Sequence, residues 1–176
     1  EWTQRSMNLH HRYNLKASDF NNVDPEKSPF RQGWKEFLHF CHVNNVPTYI
    51  LSAGITQIIR TVLEWNQIDT SQIQIISNNL IFDSDGNYNW SYPTEVIHTG
   101  NKAVHTTSHD DYVLLFWDSI DYTHMAWETD RDMVLSVGFH NPETQFPIEV
   151  YWEHFDVVIE SGDSDEWFLY ELAKRI

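Results

Sequence analysis

Three short stretches of the chain carry residue types suited to phosphate chemistry. Ser52-Ala53-Gly54 follows one apolar run and precedes an amphipathic one. A strand, a small-residue turn and a helix start would aim backbone N–H groups and a hydroxyl at one point. The helix dipole there favours an anion such as phosphate. The same three residues also fit an ordinary strand-to-helix turn with Ser52 as its cap. Asp118-Ser119 follows the most apolar run in the chain. A carboxylate there suits Mg²⁺, which takes few carboxylates together with waters and phosphate oxygens, and Asp121 stands nearby to assist. Asp and Ser are equally the usual residues of a helix cap. Lys102, in Gly100-Asn101-Lys102, is either a cation that neutralises a phosphate or a solvated lysine.

The elements that must position these residues are legible from periodicity. Trp34, Phe37, Leu38 and Cys41 mark one face of a helix that starts after Arg31 and ends near Asn44-Asn45. Val46–Leu51 reads as a short strand, and Ile55, Ile58, Ile59, Val62 and Leu63 as a second amphipathic helix. Ile73–Ser77 is another strand, and Leu80–Trp90 a hairpin around the turn dipeptide Asp85-Gly86. Tyr112–Phe116 is a continuous apolar run, as expected of a strand covered on both faces. Met133–Val137 and Val157–Ile159 are two more strands. A last helix has Asp163 as N-cap with Glu166 in the capping-box position, then Phe168, Leu169, Leu172, Ala173 and Ile176 on one face. Residues 1–30 are polar and read as a short helix followed by a loop. Strands alternating with helices imply an open parallel α/β sheet, in which ligands sit beyond the carboxyl ends of the strands. Ser52 and Asp118 both follow strands in this way.

Composition sets outer bounds. With 176 residues, 41% of them hydrophobic, the chain is long enough for a real core. Eleven Lys and Arg against 26 Asp and Glu leave a formal charge of −15, which argues against nucleic acid as a partner. A small anion is still admissible, because a few local donors override the average field. The lone cysteine, Cys41, precludes an internal disulfide and fits a reducing compartment. No apolar run reaches the roughly 18 residues of a membrane span, and no secretory signal opens the chain. Cytoplasm is the expected location. The chain begins at Glu1 rather than Met, which fits a fragment or a trimmed chain.

Taken together, the motifs carry a family resemblance. Val46–Ile55 (VPTYILSAGI), Ile75–Gly86 (IISNNLIFDSDG), Val96–Lys102 (VIHTGNK) and Leu114–Ala126 (LLFWDSIDYTHMA) occur in this order. The succession resembles the cytosolic pyrimidine 5′-nucleotidases (cytosolic 5′-nucleotidase III) of the haloacid dehalogenase superfamily. Glu1-Trp2-Thr3 and Phe30–Phe37 (FRQGWKEF) resemble the family's helical segments that lead into the core. The resemblance implies a Rossmann-like α/β core over residues 31–176, an open, mostly parallel sheet flanked by helices. A remnant of a helical cap would occupy residues 1–30. It implies Mg²⁺-dependent hydrolysis of nucleoside 5′-monophosphates. Ser52, with the Ala53 and Gly54 backbone, would bind the phosphate, Lys102 would stabilise the phosphoryl charge, and Asp118 would be a metal ligand.

The departures from the family pattern are specific. An Asp-x-Asp-x-Thr motif supplies the family's nucleophile and general acid, and none precedes Ser52. The family's Gly-Asp-Ser-x-x-Asp becomes Trp117-Asp118-Ser119-Ile120-Asp121-Tyr122, with an indole in place of glycine and the second acid displaced by one position. Trp117 would crowd a phosphate and metal site. Two readings follow. One is a 5′-nucleotidase whose nucleophile lies upstream of these residues. The other is a catalytically inactive relative kept for binding or structure. If the nucleophile strand were absent the sheet would lack its centre, and the open edge would invite a protein partner or self-association.

Several stretches mimic functional motifs. Asp83-Ser84-Asp85-Gly86 looks like the missing nucleophile motif but follows Ser52 and reads as a turn. Gly162-Asp163-Ser164-Asp165 mimics the metal motif and reads as a helix cap. His10-His11 and His39/Cys41/His42 are weak as metal sites, and Cys41 falls on the apolar face of its helix.

Overall fold

The computed structural model describes residues 12–27, 29–89, 96–98, 100–105, 112–120, 133–144, 146–160 and 171–172. They fall into two units, one drawn from residues 1–30 and 38–102, the other from 31–37 and 103–176.

The first unit is a parallel βαβ arrangement. Helix α1, Trp34–Val43, contributes the buried side chains of Leu38 and Cys41. It stops where Asn45 adopts a left-handed conformation (φ 54°) and the Val46 N–H reaches the Cys41 carbonyl at 2.8 Å. Asparagine tolerates that conformation better than most residues, so the helix ends where Asn44-Asn45 indicate. Strand β1, Thr48–Ile55, pairs in parallel with β2, Ile73–Asn78, across helix α2, Thr56–Trp65. The hairpin forms as expected, from β3 (Ile81–Phe82) and β4 (Tyr88–Asn89), with Gly86 at φ 77°. Trp90, the end of its anticipated range, lies outside the described residues. Arg12 is helical, and the residues before it, where the anticipated short helix would fall, lie outside the described residues; two 3₁₀ segments occupy Ala17–Asn22 and Pro25–Lys27 in the loop that follows. They attach to the hairpin through Ala17 N–H to the Gly86 carbonyl (2.9 Å) and an edge-on contact of Phe20 with Phe82.

The second unit is a three-stranded parallel sheet ordered β5-β6-β7, formed by Tyr112–Trp117, Met133–His140 and Val157–Glu160. Val137, Phe139 and Ile159 are its buried centre, with Trp34, Leu114, Phe116 and Val157 packed on it. Trp34 meets the Phe116 ring edge-on at 4.9 Å, and Phe116 stacks on Phe139. Successive strand residues point to opposite faces, so Trp117 turns the other way and packs on Phe155, 5.9 Å between centroids. The run of β5 is therefore covered on both faces at its carboxyl end, although Tyr112 at its start is exposed.

Strand β6 extends three residues beyond the apolar run Met133–Val137. Gly138 interrupts the pattern in sequence, yet it is the position where Phe155 approaches the sheet most closely. A Cβ there would lie 2.4 Å from a Phe155 ring carbon. Helix α3, Ile148–Trp152, is only five residues long, too short for a periodicity to reveal. Of the anticipated last helix only residues 171–172, which are helical, are described. Asp163, Glu166 and most of its apolar face lie outside. The architecture is α/β with mostly parallel sheets flanked by helices.

Candidate functional site

The Ser52-Ala53-Gly54 segment differs from the turn anticipated there. From Leu51 to Ile55 strand β1 advances four residues, while its partner advances two, from Ile76 to Asn78. The segment is thus a bulge within β1, and the strand runs on to Ile55. A bulge bends its strand and re-aims side chains, and bulges are common beside binding sites. The Ser52 hydroxyl accepts the Gly54 N–H at 3.0 Å, and a Cβ on Gly54 would stand 3.1 Å from that oxygen. Ser52 accordingly braces the bulge rather than capping helix α2. Ile55 occupies the N-cap position without a side-chain cap. Thr56, the first helical residue, is buried and shares a hydrogen bond of 2.7 Å with the Ser77 hydroxyl. Gln57 ties the same helical turn to β2–β3, donating to the Leu80 carbonyl at 2.7 Å and accepting the Leu80 N–H at 3.2 Å. The bulge and the helix start are held from several sides.

A second structure leads to Lys102. Asn78, at the end of β2, is 2% exposed. Its amide N–H₂ donates to the carbonyls of Ala53 and Ile97, both at 2.9 Å, and its oxygen accepts the Ile97 N–H at 2.8 Å. The chain then folds on itself through Asn101. Its side-chain oxygen accepts the His98 N–H at 2.7 Å, and its amide donates to the Val96 carbonyl at 3.0 Å. Half-buried Lys102 opens the short 3₁₀ turn Lys102–His105. Ser52, Ala53, Gly54 and Lys102 all belong to the first unit. Reading for chemistry-bearing types missed Asn78 and Asn101. The available signal was a polar residue closing an apolar strand in Ile75–Asn79 (IISNN).

Asp118 belongs to the second unit and directly follows β5, with its side chain exposed. Its main-chain carbonyl accepts the hydroxyl of Tyr151 at 3.0 Å. Tyr151 is buried, stacked on Phe155 and met edge-on by His140. The start of the Asp118 loop is therefore anchored to the core. Trp117 is engaged on Phe155, so its indole has a packing role of its own. Asp121 and Tyr122 lie outside the described residues. Asp118 is thus one exposed carboxylate at the end of a parallel strand, and no group of three or more His, Cys, Asp or Glu side chains that could hold a metal occurs among the described residues.

The mimics behave as structural features where they are described. Asp83 accepts the N–H groups of Asp85 (3.0 Å) and Asn87 (2.8 Å). These bonds, those from Asn87 foremost, hold its carboxyl below the usual range. It is the hub of the hairpin turn. Cys41 is buried, which pushes its thiol up, and His42 stands 3.6 Å from Asp69. Asp163 and His10-His11 lie outside the described residues.

The family model described as pyrimidine 5′-nucleotidase (UMPH-1) matches residues 1–172. The chain belongs to that family. The 7-methylguanosine phosphate-specific 5′-nucleotidase of Homo sapiens is 27% identical over 93% of this chain and 58% of its own length. The Mus musculus protein of the same description is 28% identical over 81% and 50%. A putative cytosolic 5′-nucleotidase 3 of Caenorhabditis elegans is 29% identical over 74% and 38%. The chain thus spans about half the length of the curated relatives it matches. Among solved structures, cytosolic 5′-nucleotidase IIIB bound to cytidine superposes with a TM-score of 0.68 at 22% identity, over 82% of this chain and 52% of that one. A phosphoserine phosphohydrolase-like protein from Francisella tularensis gives 0.54 at 14% identity, over 92% and 70%. These likenesses show that this pyrimidine 5′-nucleotidase family member shares its fold with a cytosolic 5′-nucleotidase and a phosphoserine phosphohydrolase-like protein. No helix among the described residues is long and apolar enough to cross a membrane.

Proposed function

We propose that this protein takes part in the hydrolysis of nucleoside 5′-monophosphates, with a pyrimidine nucleotide as the first substrate to test. The observation that carries the reading is the family match across residues 1–172. The bulge at Ser52–Gly54 and the braced turn before Lys102, both in one unit, support it. In this reading the Ser52 hydroxyl and neighbouring N–H groups hold phosphate oxygens, and Lys102 offsets their charge. Asp118, with Asp121, would hold Mg²⁺. Such an ion, when bound, would supply positive charge to anionic oxygens. No Asp-x-Asp-x-Thr precedes Ser52 within these 176 residues, and no residue among them is assigned as the attacking carboxylate. Residues 1–30 belong, in this proposal, to a cap and residues 31–176 to the core. The cytoplasmic setting rests on Cys41 and on the cytosolic relatives.

A second reading has a specific observation in its favour. Trp117, where the family has glycine, is packed against Phe155. In an inactive relative such a change is unconstrained by catalysis. Among the described residues β1 pairs only with β2 and β5 only with β6; in this reading a partner strand would pair with one of the remaining edges.

Turnover of CMP, UMP and 7-methylguanosine monophosphate by the protein isolated from its natural source separates the two. Mg²⁺-dependent phosphate release that Asp118→Asn abolishes establishes the nucleotidase reading, and the preferred base follows from the same assay. No release from any of the three, with the protein folded and Mg²⁺ present, overturns it in favour of the inactive relative.

A further inference from the structure

Asn78 joins the two parts of the proposed phosphate site, and its chemistry suits no other residue type. Two carbonyls, of Ala53 and Ile97, and one N–H, of Ile97, converge on a single buried side chain. Satisfying them takes two donors and an acceptor from one short side chain. An aspartate offers acceptors only, and a serine one donor. The partners are 25 and 19 residues away in sequence, one inside the Ser52–Gly54 bulge and the other at the entry to the Asn101-braced turn. We infer that Asn78 is a positioning residue that holds the Ser52–Gly54 bulge and the Lys102 turn in one arrangement, so that both address the same phosphate group. The inference rests on the phosphate reading of Ser52 and Lys102 given above.

The arrangement separates positioning from general stability. Asn66 is a buried asparagine of the same unit, and its amide donates to the Val62 carbonyl at 2.8 Å within its own helix end. It touches neither the bulge nor the Lys102 turn through that bond. Asn66→Ala therefore supplies a destabilised comparison with both parts of the site in place.

The experiment titrates the full chain with inorganic phosphate, following the amide signals of Ser52, Gly54 and Lys102 by NMR. Wild type is compared with Asn78→Asp, the milder Asn78→Ser, and Asn66→Ala, with thermal melts of each. Asn78→Asp and Asn78→Ser are expected to weaken phosphate binding by about tenfold, the effect of losing one buried polar interaction, while Asn66→Ala binds as wild type does. Amide exchange is expected to quicken together at Gly54, Ile97 and His98 in both Asn78 variants. Wild-type phosphate affinity in a folded Asn78 variant overturns the inference and leaves the phosphate reading intact. Quickened exchange at Ile97 alone does the same. A wild-type chain with no phosphate-induced shift at Ser52 or Lys102 overturns the phosphate reading itself, and the positioning role with it.

Discussion

The hydroxyl of Tyr151 donates to the main-chain carbonyl of Asp118 at 3.0 Å, from a side chain that is 1% exposed. The bond connects the proposed metal-binding carboxylate to the core of its unit through backbone alone. Tyr151→Phe keeps the ring that stacks on Phe155 and removes only this bond. The variant is expected to lose about 1 kcal/mol of stability. Mg²⁺ binding, read by calorimetry, is expected to weaken as the Asp118 loop loosens. An unchanged denaturation midpoint shows that the bond contributes nothing.

Gly138 has no room for a side chain, because its Cβ would meet the Phe155 ring at 2.4 to 2.8 Å. Gly138→Ala is expected to cost about 1–3 kcal/mol through overpacking. Adding Phe155→Leu, which withdraws the ring, should recover part of that loss. A double-mutant cycle in urea measures the coupling, and strictly additive effects would show that the two residues do not meet.

Ser136 and Asp156 couple stability to pH. The Ser136 hydroxyl (2.7 Å) and N–H (2.8 Å) both donate to one Asp156 oxygen. The hydroxyl bond first, then the backbone bond, lowers the Asp156 carboxyl below its ordinary value. A carboxyl depressed on folding stabilises the fold above its unfolded value of about 3.9 and loses that contribution as pH falls through the folded value. Ser136→Ala is expected to be less stable than wild type at neutral pH, with the gap narrowing below about pH 4. Urea midpoints between neutral and acid pH test this, and a gap that is constant with pH counts against it.

Asp83 shares its neighbourhood in sequence with a nucleophile-like pattern, but its carboxylate is engaged by the hairpin N–H groups. Asp83→Asn keeps an acceptor oxygen for them. The substitution is expected to leave phosphate and Mg²⁺ binding unchanged, with a small loss of stability. Loss of either ligand in a folded Asp83→Asn protein would return this aspartate to the list of site residues.

The sequence by itself determined the family and the succession of elements. The helix around Leu38 and Cys41, the strand at Ile73–Ser77 and the Asp85-Gly86 hairpin are local matters of periodicity and turn chemistry, decided within a dozen residues. The order of Ser52, Lys102 and Asp118 carried the resemblance. What only the tertiary structure decided depends on residues far apart in the chain. Ser52–Gly54 becomes a bulge because β1 must pair with β2, and no local pattern records the register of a partner strand. Asn78 acquires its role from carbonyls 25 and 19 residues away. Gly138 interrupts an apolar pattern yet lies within β6, because Phe155 occupies the space a side chain would need. Trp117 reads as an intrusion into a motif until Phe155 is seen to pack on it. Periodicity reports which face of an element is apolar, whereas convergence of donors, acceptors and rings is set by the packing of elements on one another.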